Sequence, residues 1–255
     1  MGILNVTPNS FSDGGKFLTH DNAIEQGLKL VDEGADIIDV GGESTRPGAQ
    51  RVSIAEEQSR ILDVIKELSQ HATISVDTMN AATAQKAVEA GAQIINDVSG
   101  GLADPEMLQT VASLGVPYIA MHWRAHSTIM DQQNQYDNVA KDVAKELEQR
   151  IEAAEQAGIK ELILDPGLGF SKDAEQNWEL LHNYQYIQDL AFPVLIGGSR
   201  KRFLAEFATG DTAEDRDAAT LALSLWAAEH DAWGVRVHEV KNTVAALKTW
   251  ERLKQ

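Results

Sequence analysis

Residues 73–97 read Thr73-Ile-Ser-Val-Asp77-Thr-Met-Asn-Ala81-Ala-Thr-Ala-Gln-Lys-Ala-Val-Glu-Ala90-Gly-Ala-Gln93-Ile-Ile-Asn96-Asp97. The run Thr73 to Val76 has the β-branched, apolar character of a buried strand. Ala81 to Ala90 is rich in helix formers with apolar residues three and four apart, and Gln93 to Asn96 is strand-like again. One strand, one covering helix and a second strand make a parallel unit, because only a crossover of this length returns the chain to the same end of a sheet. The pattern repeats in both directions. Strand-like runs also lie at Gly2 to Val6, Asp36 to Val40, Val116 to Met121, Glu161 to Leu164, Phe192 to Ile196 and Ala232 to Val237, eight in all. Helix-period segments lie at Asp21 to Glu33, Ser53 to Leu68, Pro105 to Leu114, Asn138 to Ala157 and Glu175 to Leu190, with a last helical run after His238. Eight such repeats without a Pro/Gly/Ser-rich linker predict an α/β protein with a single (β/α)8 TIM barrel over residues 1–255.

Charge narrows the partners. Lys and Arg number 22 against 39 Asp and Glu, a formal net charge of −17. A field of that sign repels polyanions and argues against nucleic-acid or anionic-membrane binding, while leaving room for a small anion in a locally basic pocket. The excess acid lies in the outer helical segments, whereas Ile196 to Arg202 holds three cations and no acid. The absence of cysteine excludes a disulfide scaffold, a thiolate nucleophile and a Cys-ligated metal site. Residues 1–7 lack the features of a signal peptide and no apolar run is long enough to span a bilayer, so a cytoplasmic location is expected. After the first strand stands Pro8-Asn-Ser-Phe-Ser-Asp13-Gly-Gly15, not a dinucleotide-binding glycine pattern. No Walker A loop or G-x-S-x-G elbow occurs, and His238-Glu239 lacks the second histidine of a zincin.

In such a barrel the carboxyl ends of the strands form the reactive mouth. The residues there are Asn5; Asp39, with Gly41-Gly-Glu-Ser-Thr45-Arg46-Pro47-Gly48 after it; Asp77 and Thr78; Asn96 and Asp97; His122; Asp165; Gly197 to Arg202; and Arg236 with His238. Any single Asn or Asp past a strand is commonly a turn or cap residue. Phe170 by itself reads as core, and His238 as a partly buried histidine or the cap of the last helix. Lys201 and Arg202 open a predicted helix, where positive charge opposes the macrodipole, so local stability explains them poorly. Asp77, Asn96 and Asp165 suit a flat heterocycle rich in N–H donors, and Lys201, Arg236, His238 and Arg46 suit phosphate. Gly197-Gly-Ser199 before a helix matches the usual phosphate site of the fold. Asn5 and nearby acids suit a hard cation such as Mg²⁺.

The chain resembles the dihydropteroate synthase family. The likeness runs in order through Met1 to Gly15, Asp39 to Gly48, Ser75 to Thr78, Ile95 to Asp97, Leu164 to Phe170, Gly197 to Lys201 and Arg236 to His238. His122-Trp-Arg124 and Gly198-Ser-Arg-Lys-Arg-Phe203 resemble the actinobacterial form. The resemblance implies a transferase of folate biosynthesis that joins 6-hydroxymethyl-7,8-dihydropterin diphosphate to 4-aminobenzoate, a homodimer, and a sulfonamide target. Carried onto matching positions, Asp77, Asn96, Asp165 and Lys201 grip the pterin, Asn5 takes Mg²⁺, and Thr45, Arg46, Arg236 and His238 hold the diphosphate. Thr45, Pro47, Phe170 and Arg202 border the aminobenzoate. The loops around Ser10 to Gly15 and Ser44 to Gly48 look like mobile lids, and Asp13 joins Asp77, Asp165 and Lys201 as a candidate catalytic residue.

Asn9 stands where the family commonly has Asp, and Arg202 where Ser is frequent. The nearest alternative is a pterin-binding methyltransferase domain serving a corrinoid, although no D-x-H-x-x-G signature occurs. A non-catalytic pterin-binding protein is a second alternative, against which the retained cations Lys201, Arg236 and His238 argue. Trp226, Val244, Leu247 and Trp250 in the last helices read equally as an interface or as cover for the barrel.

Overall fold

The computed structural model describes residues 1–7, 16–44, 51–126 and 128–254, excluding the side chains of residues 16–19 and 131. Among the described residues eight strands follow in order: β1 (Gly2–Asn5), β2 (Ile37–Gly41), β3 (Thr73–Asp77), β4 (Ile94–Asp97), β5 (Tyr118–Met121), β6 (Leu162–Asp165), β7 (Leu195–Ile196) and β8 (Gly234–Val235). β1 to β6 pair in parallel in chain order, and β7 pairs with β8. Two seams close the ring. Leu164 bridges Val194, with its N–H donating to the Pro193 carbonyl at 2.8 Å, and Gly2 bridges Val237, with the Ile3 N–H donating to the Val237 carbonyl at 3.0 Å. The ladder returns on itself as the (β/α)8 barrel that the repeats predict.

Around it lie α1 (Lys16–Asp32), α2 (Ile54–Leu68), α3 (Ala81–Ala90), α4 (Met107–Leu114), α5 (Val139–Ala157), α6 (Ala174–His182), α7 (Gln185–Gln188), α8 (Asp217–Glu229) and α9 (Val240–Leu253). Several starts are written locally. The Ser53 hydroxyl accepts from the Glu56 N–H, Asn138 accepts from the Lys141 N–H, and Asp173 forms a reciprocal box with Gln176. Each satisfies an N–H that the first helical turn leaves unpaired.

Strand alternation sorts the side chains. Ile38, Val40, Ile74, Val76 and Ile95 face the helices in the main core. Ile94, Ile119, Ile163 and Leu195, with Ile37 and Met1, fill the barrel interior. A third cluster at the mouth joins Met79, Val98, Met121, Ala125, Met130 and Phe170. On β2, β4 and β6 the inward position that follows Ile37, Ile94 and Ile163 is polar, Asp39, Asn96 and Asp165, which places the site.

Some expected boundaries differ. The seventh strand is regular only over Leu195–Ile196; Pro193 has no N–H to contribute to a ladder, and the pairing before it survives as the bridge at Val194. The segment Glu175 to Leu190 splits at Asn183, whose side chain donates to the Glu179 carbonyl at 2.8 Å and competes with helix continuation. The helix expected to open at Lys201 and Arg202 is a short 3₁₀ turn, Arg202–Phe207, with Lys201 extended before it. A dipole argument therefore has little weight there. The main helix between β7 and β8 is α8, whose Ala-Ala-Thr-Leu-Ala-Leu-Ser-Leu-Trp-Ala-Ala run is apolar on nearly all sides and so lacks a legible period. Trp226 and Val244 pack against the main core, and Trp226 stacks on His230 at 4.2 Å.

Candidate functional site

Register decides which polar residues meet. Asp77 stands beside Gly41 on one side and Asn96 on the other, while Asp165 stands beside Met121. Arg236, one residue past β8, links Asp39 to Asp77: its Nε donates to Asp39 Oδ2 at 2.6 Å and its Nη2 to Asp77 Oδ2 at 2.8 Å. Asn96 Nδ2 donates to the same Asp39 oxygen at 3.1 Å. Asp39 is wholly buried, and its Oδ1 has no hydrogen-bond partner among the described residues.

The charge balance perturbs Asp77, Asp165, Lys201 and Arg236. Burial pushes the Asp77 carboxyl up to about 7; Arg236 opposes the rise and Asp39 adds to it. Burial also raises Asp165, against the Gly167 N–H that donates to its Oδ1 at 2.7 Å and the nearby Lys201. Lys201 is drawn down to about 8 by burial and by Arg236, while Asp165 favours its charge. Its Nζ lies 4.1 Å from the centre of the Phe170 ring, a cation–π contact that fixes both groups at one wall. Burial disfavours the Arg236 charge, but Asp39 and Asp77 more than restore it. Titratable groups displaced in this way and gathered at one mouth mark a functional site.

His238 is set by Ser199. The Ser199 hydroxyl oxygen accepts from the His238 N–H at 3.1 Å and lies 3.0 Å from Nδ1. The two contacts hold the imidazole ring at the carboxyl end of β8. Asn5 is half-buried at the end of β1, beside Gly41 in register. Among the described residues there is no group of three or more His, Asp or Glu able to cage a metal. Arg202 is exposed at the start of its 3₁₀ turn, and Phe170 is buried at 7% exposure.

The structure thus brings Asp77, Asn96, Asp165, Lys201 and Arg236 together, with Phe170 against Lys201. Asp13, Thr45, Arg46 and Pro47, together with Asn9, lie outside the described residues.

The partners of three supporting residues escaped the sequence. Asp39 was visible as a carboxylate inside an apolar strand, Ile37-Ile-Asp39-Val-Gly41, but its partners lie 57 and 197 residues away. Glu57 of α2 is almost fully buried and accepts from the Thr78 hydroxyl at 2.8 Å, Asn80 Nδ2 at 2.7 Å and the Thr83 hydroxyl at 2.7 Å. It ties down the turn directly after Asp77, and nothing in its local sequence separates it from an exposed helical glutamate. Lys172 is buried beneath the loop after β6, where its Nζ lies 3.0 Å from both the Gly167 carbonyl and His122 Nδ1.

Known proteins match this chain over nearly its whole length. Residues 1–238 match the family described as pterin binding enzyme. A dihydropteroate synthase of Mycobacterium leprae is 48% identical over 97% of this chain and 90% of its own. The structure of Xanthomonas albilineans dihydropteroate synthase with 4-aminobenzoic acid superposes with a TM-score of 0.93 at 43% identity, covering 100% of this chain and 92% of that one. The same enzyme in complex with 7,8-dihydropteroate gives a TM-score of 0.89 at 41% identity over the same shares. Against longer relatives the chain is one part: it spans 49% and 52% of the mitochondrial folate synthesis bifunctional proteins of Arabidopsis thaliana and Pisum sativum.

Proposed function

We infer, for a chain that belongs to the pterin binding enzyme family and within it to the dihydropteroate synthases, that the barrel mouth condenses 6-hydroxymethyl-7,8-dihydropterin diphosphate with 4-aminobenzoate. The products are 7,8-dihydropteroate and diphosphate. The observation that carries this is the convergence of Asp77, Asn96 and Asp165 with Lys201 and Arg236 at the ends of five different strands. Carboxylate and amide acceptors match the N–H edge of a pterin, and the two cations serve its ring acceptors and its diphosphate.

We propose the following division of labour. Asp165, held by the Gly167 N–H, and Asp77, held by Arg236, accept from the pterin N–H groups, with Asn96 beside them. Lys201 donates to a ring acceptor while lying over Phe170, and Phe170 with Arg202 borders the aminobenzoate. Among the described residues Arg236 gives two of its five N–H groups to Asp39 and Asp77, and the rest of the guanidinium takes a phosphate oxygen beside His238. Asn5 fits Mg²⁺ because a neutral hard oxygen at the strand end is the type of donor this ion takes along with water and phosphate. The ion, when bound, neutralises charge on the leaving diphosphate.

Neutralisation favours early rupture of the bond between the pterin methylene and the diphosphate oxygen. The electron pair leaves with diphosphate, and the methylene cation draws on ring electrons and on the carboxylates of Asp77 and Asp165, with Asp13 as a third candidate. The neutral arylamine nitrogen then forms the new C–N bond and loses a proton. No protein nucleophile is required. Residues 1–255 serve as one pterin-binding barrel, working in the cytoplasm as a homodimer; among the described residues no helix is long and apolar enough to cross a membrane.

The test is to incubate the protein with Mg²⁺, the pterin diphosphate and 4-aminobenzoate. Diphosphate release and dihydropteroate formation in equal amounts are expected. Release that is absent, or that ignores the amine, overturns the assignment.

A further inference from the structure

Beneath the loop that follows β6 lies a chain of polar contacts to which the mechanism above assigns no part. Lys172 is 8% exposed. Its Nζ lies 3.0 Å from the Gly167 carbonyl, 3.1 Å from the Phe170 carbonyl and 3.0 Å from His122 Nδ1. His122 Nε2 in turn lies 2.9 Å from Glu146 Oε2. Glu146 is gripped by both Nε and Nη2 of Arg124, whose Nη1 donates to the Gln135 carbonyl at 2.6 Å.

Proton positions follow from the far end inward. Burial works against the Glu146 charge, but hydrogen bonds from His122 and Arg124 outweigh it and hold the carboxyl at about 2. A carboxylate accepts, so Nε2 of His122 carries the proton. Burial and the nearby Lys172 hold the imidazole neutral, with a pKa of about 4. Nδ1 is then an acceptor. Lys172 therefore faces three acceptors, two carbonyls and one imidazole nitrogen, and an ammonium has three N–H groups to meet them. A neutral amine has two, and its lone pair would face one of the acceptors.

The loop needs such a clamp. Gly167, Gly169 and Ser171 have φ of 68°, 75° and 49°, so three of five successive residues occupy the left-handed region. Both carbonyls that Lys172 binds belong to this segment. Gly167 also donates its N–H to Asp165, and Phe170 carries the ring under Lys201.

We propose that Lys172 is a positioning residue for the condensation: its ammonium, oriented by His122 and Glu146, fixes the loop that sets the Asp165 carboxylate and the Phe170 wall without touching either substrate. This rests on the synthase reading, which the amine-dependent release assay on the unaltered protein tests separately. The charge sits among Asp165, Arg124, Glu146 and Lys201, and burial draws Lys172 down to about 7.

The cysteine-free sequence permits a direct test. In Lys172→Cys the introduced thiol is unique. The unfolded full chain is alkylated with 2-bromoethylamine, the thiolate displacing bromide, which rebuilds a side chain of lysine length ending in an ammonium. A parallel sample treated with 1-bromopropane ends in a methyl group. Both are refolded, checked by circular dichroism and assayed. The aminoethyl form is expected to regain most of the activity. The propyl form is expected to fold but to lose roughly ten- to a hundredfold in kcat/KM for 4-aminobenzoate, the scale of a small misplacement of reacting groups. Equal activity in the two forms overturns the proposal, since packing alone would then suffice. So does a propyl form that fails to fold while the aminoethyl form folds, which would make the role structural. An aminoethyl form that remains inactive or unfolded, while unaltered protein carried through the same refolding regains activity, also overturns it.

Discussion

A Cβ added to Gly197 would lie 2.9 Å from Asp165 Oδ2. The glycine after β7 is the space in which the central carboxylate of the neighbouring strand sits, and its φ lies outside the positive range, so the requirement is room rather than backbone freedom. Gly197→Ala is expected to displace Asp165 and lower pterin affinity roughly tenfold or more, by misplacing an acceptor, with little change in thermal midpoint. Isothermal titration with a pterin analogue beside a melting curve checks this.

Asp165→Asn and Lys201→Ala should each depress turnover strongly. Asparagine exchanges an acceptor for a donor at the N–H edge of the pterin, and alanine removes the cation over Phe170. Losses of about 2–3 kcal/mol of transition-state stabilisation, roughly 30- to 150-fold in kcat/KM, are the scale for charge-assisted hydrogen bonds. Steady-state kinetics with both substrates measures them. Unchanged kinetics in both variants would remove the pterin-site assignment.

Activity should pass through a maximum with pH. Asp77 offers acceptors at both oxygens and a negative charge only when ionised, and its carboxyl titrates at about 7; activity therefore rises as pH climbs through that value. Lys201 must keep its proton, and it titrates at about 8, so activity falls above it. The profile of kcat/KM in the free enzyme should be narrow and bell-shaped, its limbs belonging to the linked cluster rather than to single residues. A flat profile between pH 6 and 9 would contradict the roles given to both groups.

Arg236→Met should cost stability as well as diphosphate binding. It leaves Asp39 and Asp77 buried without their cation, a loss on the order of 3–5 kcal/mol. The sign with pH is set. Carboxyls whose folded pKa lies above the unfolded value contribute stability at low pH and lose it as pH rises through the folded value. The deficit should therefore shrink toward pH 5 and widen toward pH 8. Urea unfolding at the two pH values tests this; a deficit independent of pH would rule out the ion-pair account.

The barrel was legible because its cause is local. Thr73–Asp77, Ala81–Ala90 and Ile94–Asp97 announce themselves through β-branched runs, helix formers and a crossover of the right length. Ser53, Asn138 and Asp173 cap the helices that the periodicity predicts. The polar residues at the strand ends were legible too, since alternation alone sends Asp77, Asn96 and Asp165 inward. What remained hidden was each case in which a neighbour overrides the local pattern. Proline at 193 shortens β7, Asn183 divides a long helical segment, and α8 shows no period because it is apolar almost all round.

The sequence by itself determined the order of strands and helices and which strand ends carry acid, amide or base, because these depend on side-chain type at a fixed backbone period. Only the tertiary structure decided the pairings: Arg236 with Asp39 and Asp77, Glu57 under the turn after Asp77, and Lys172 between His122 and the β6 loop. These contacts join residues far apart in the chain, and their meaning comes from burial. A lysine or glutamate in water needs no partner; the same group enclosed by the barrel must find one, and the partner it finds sets both its charge and the shape of the site.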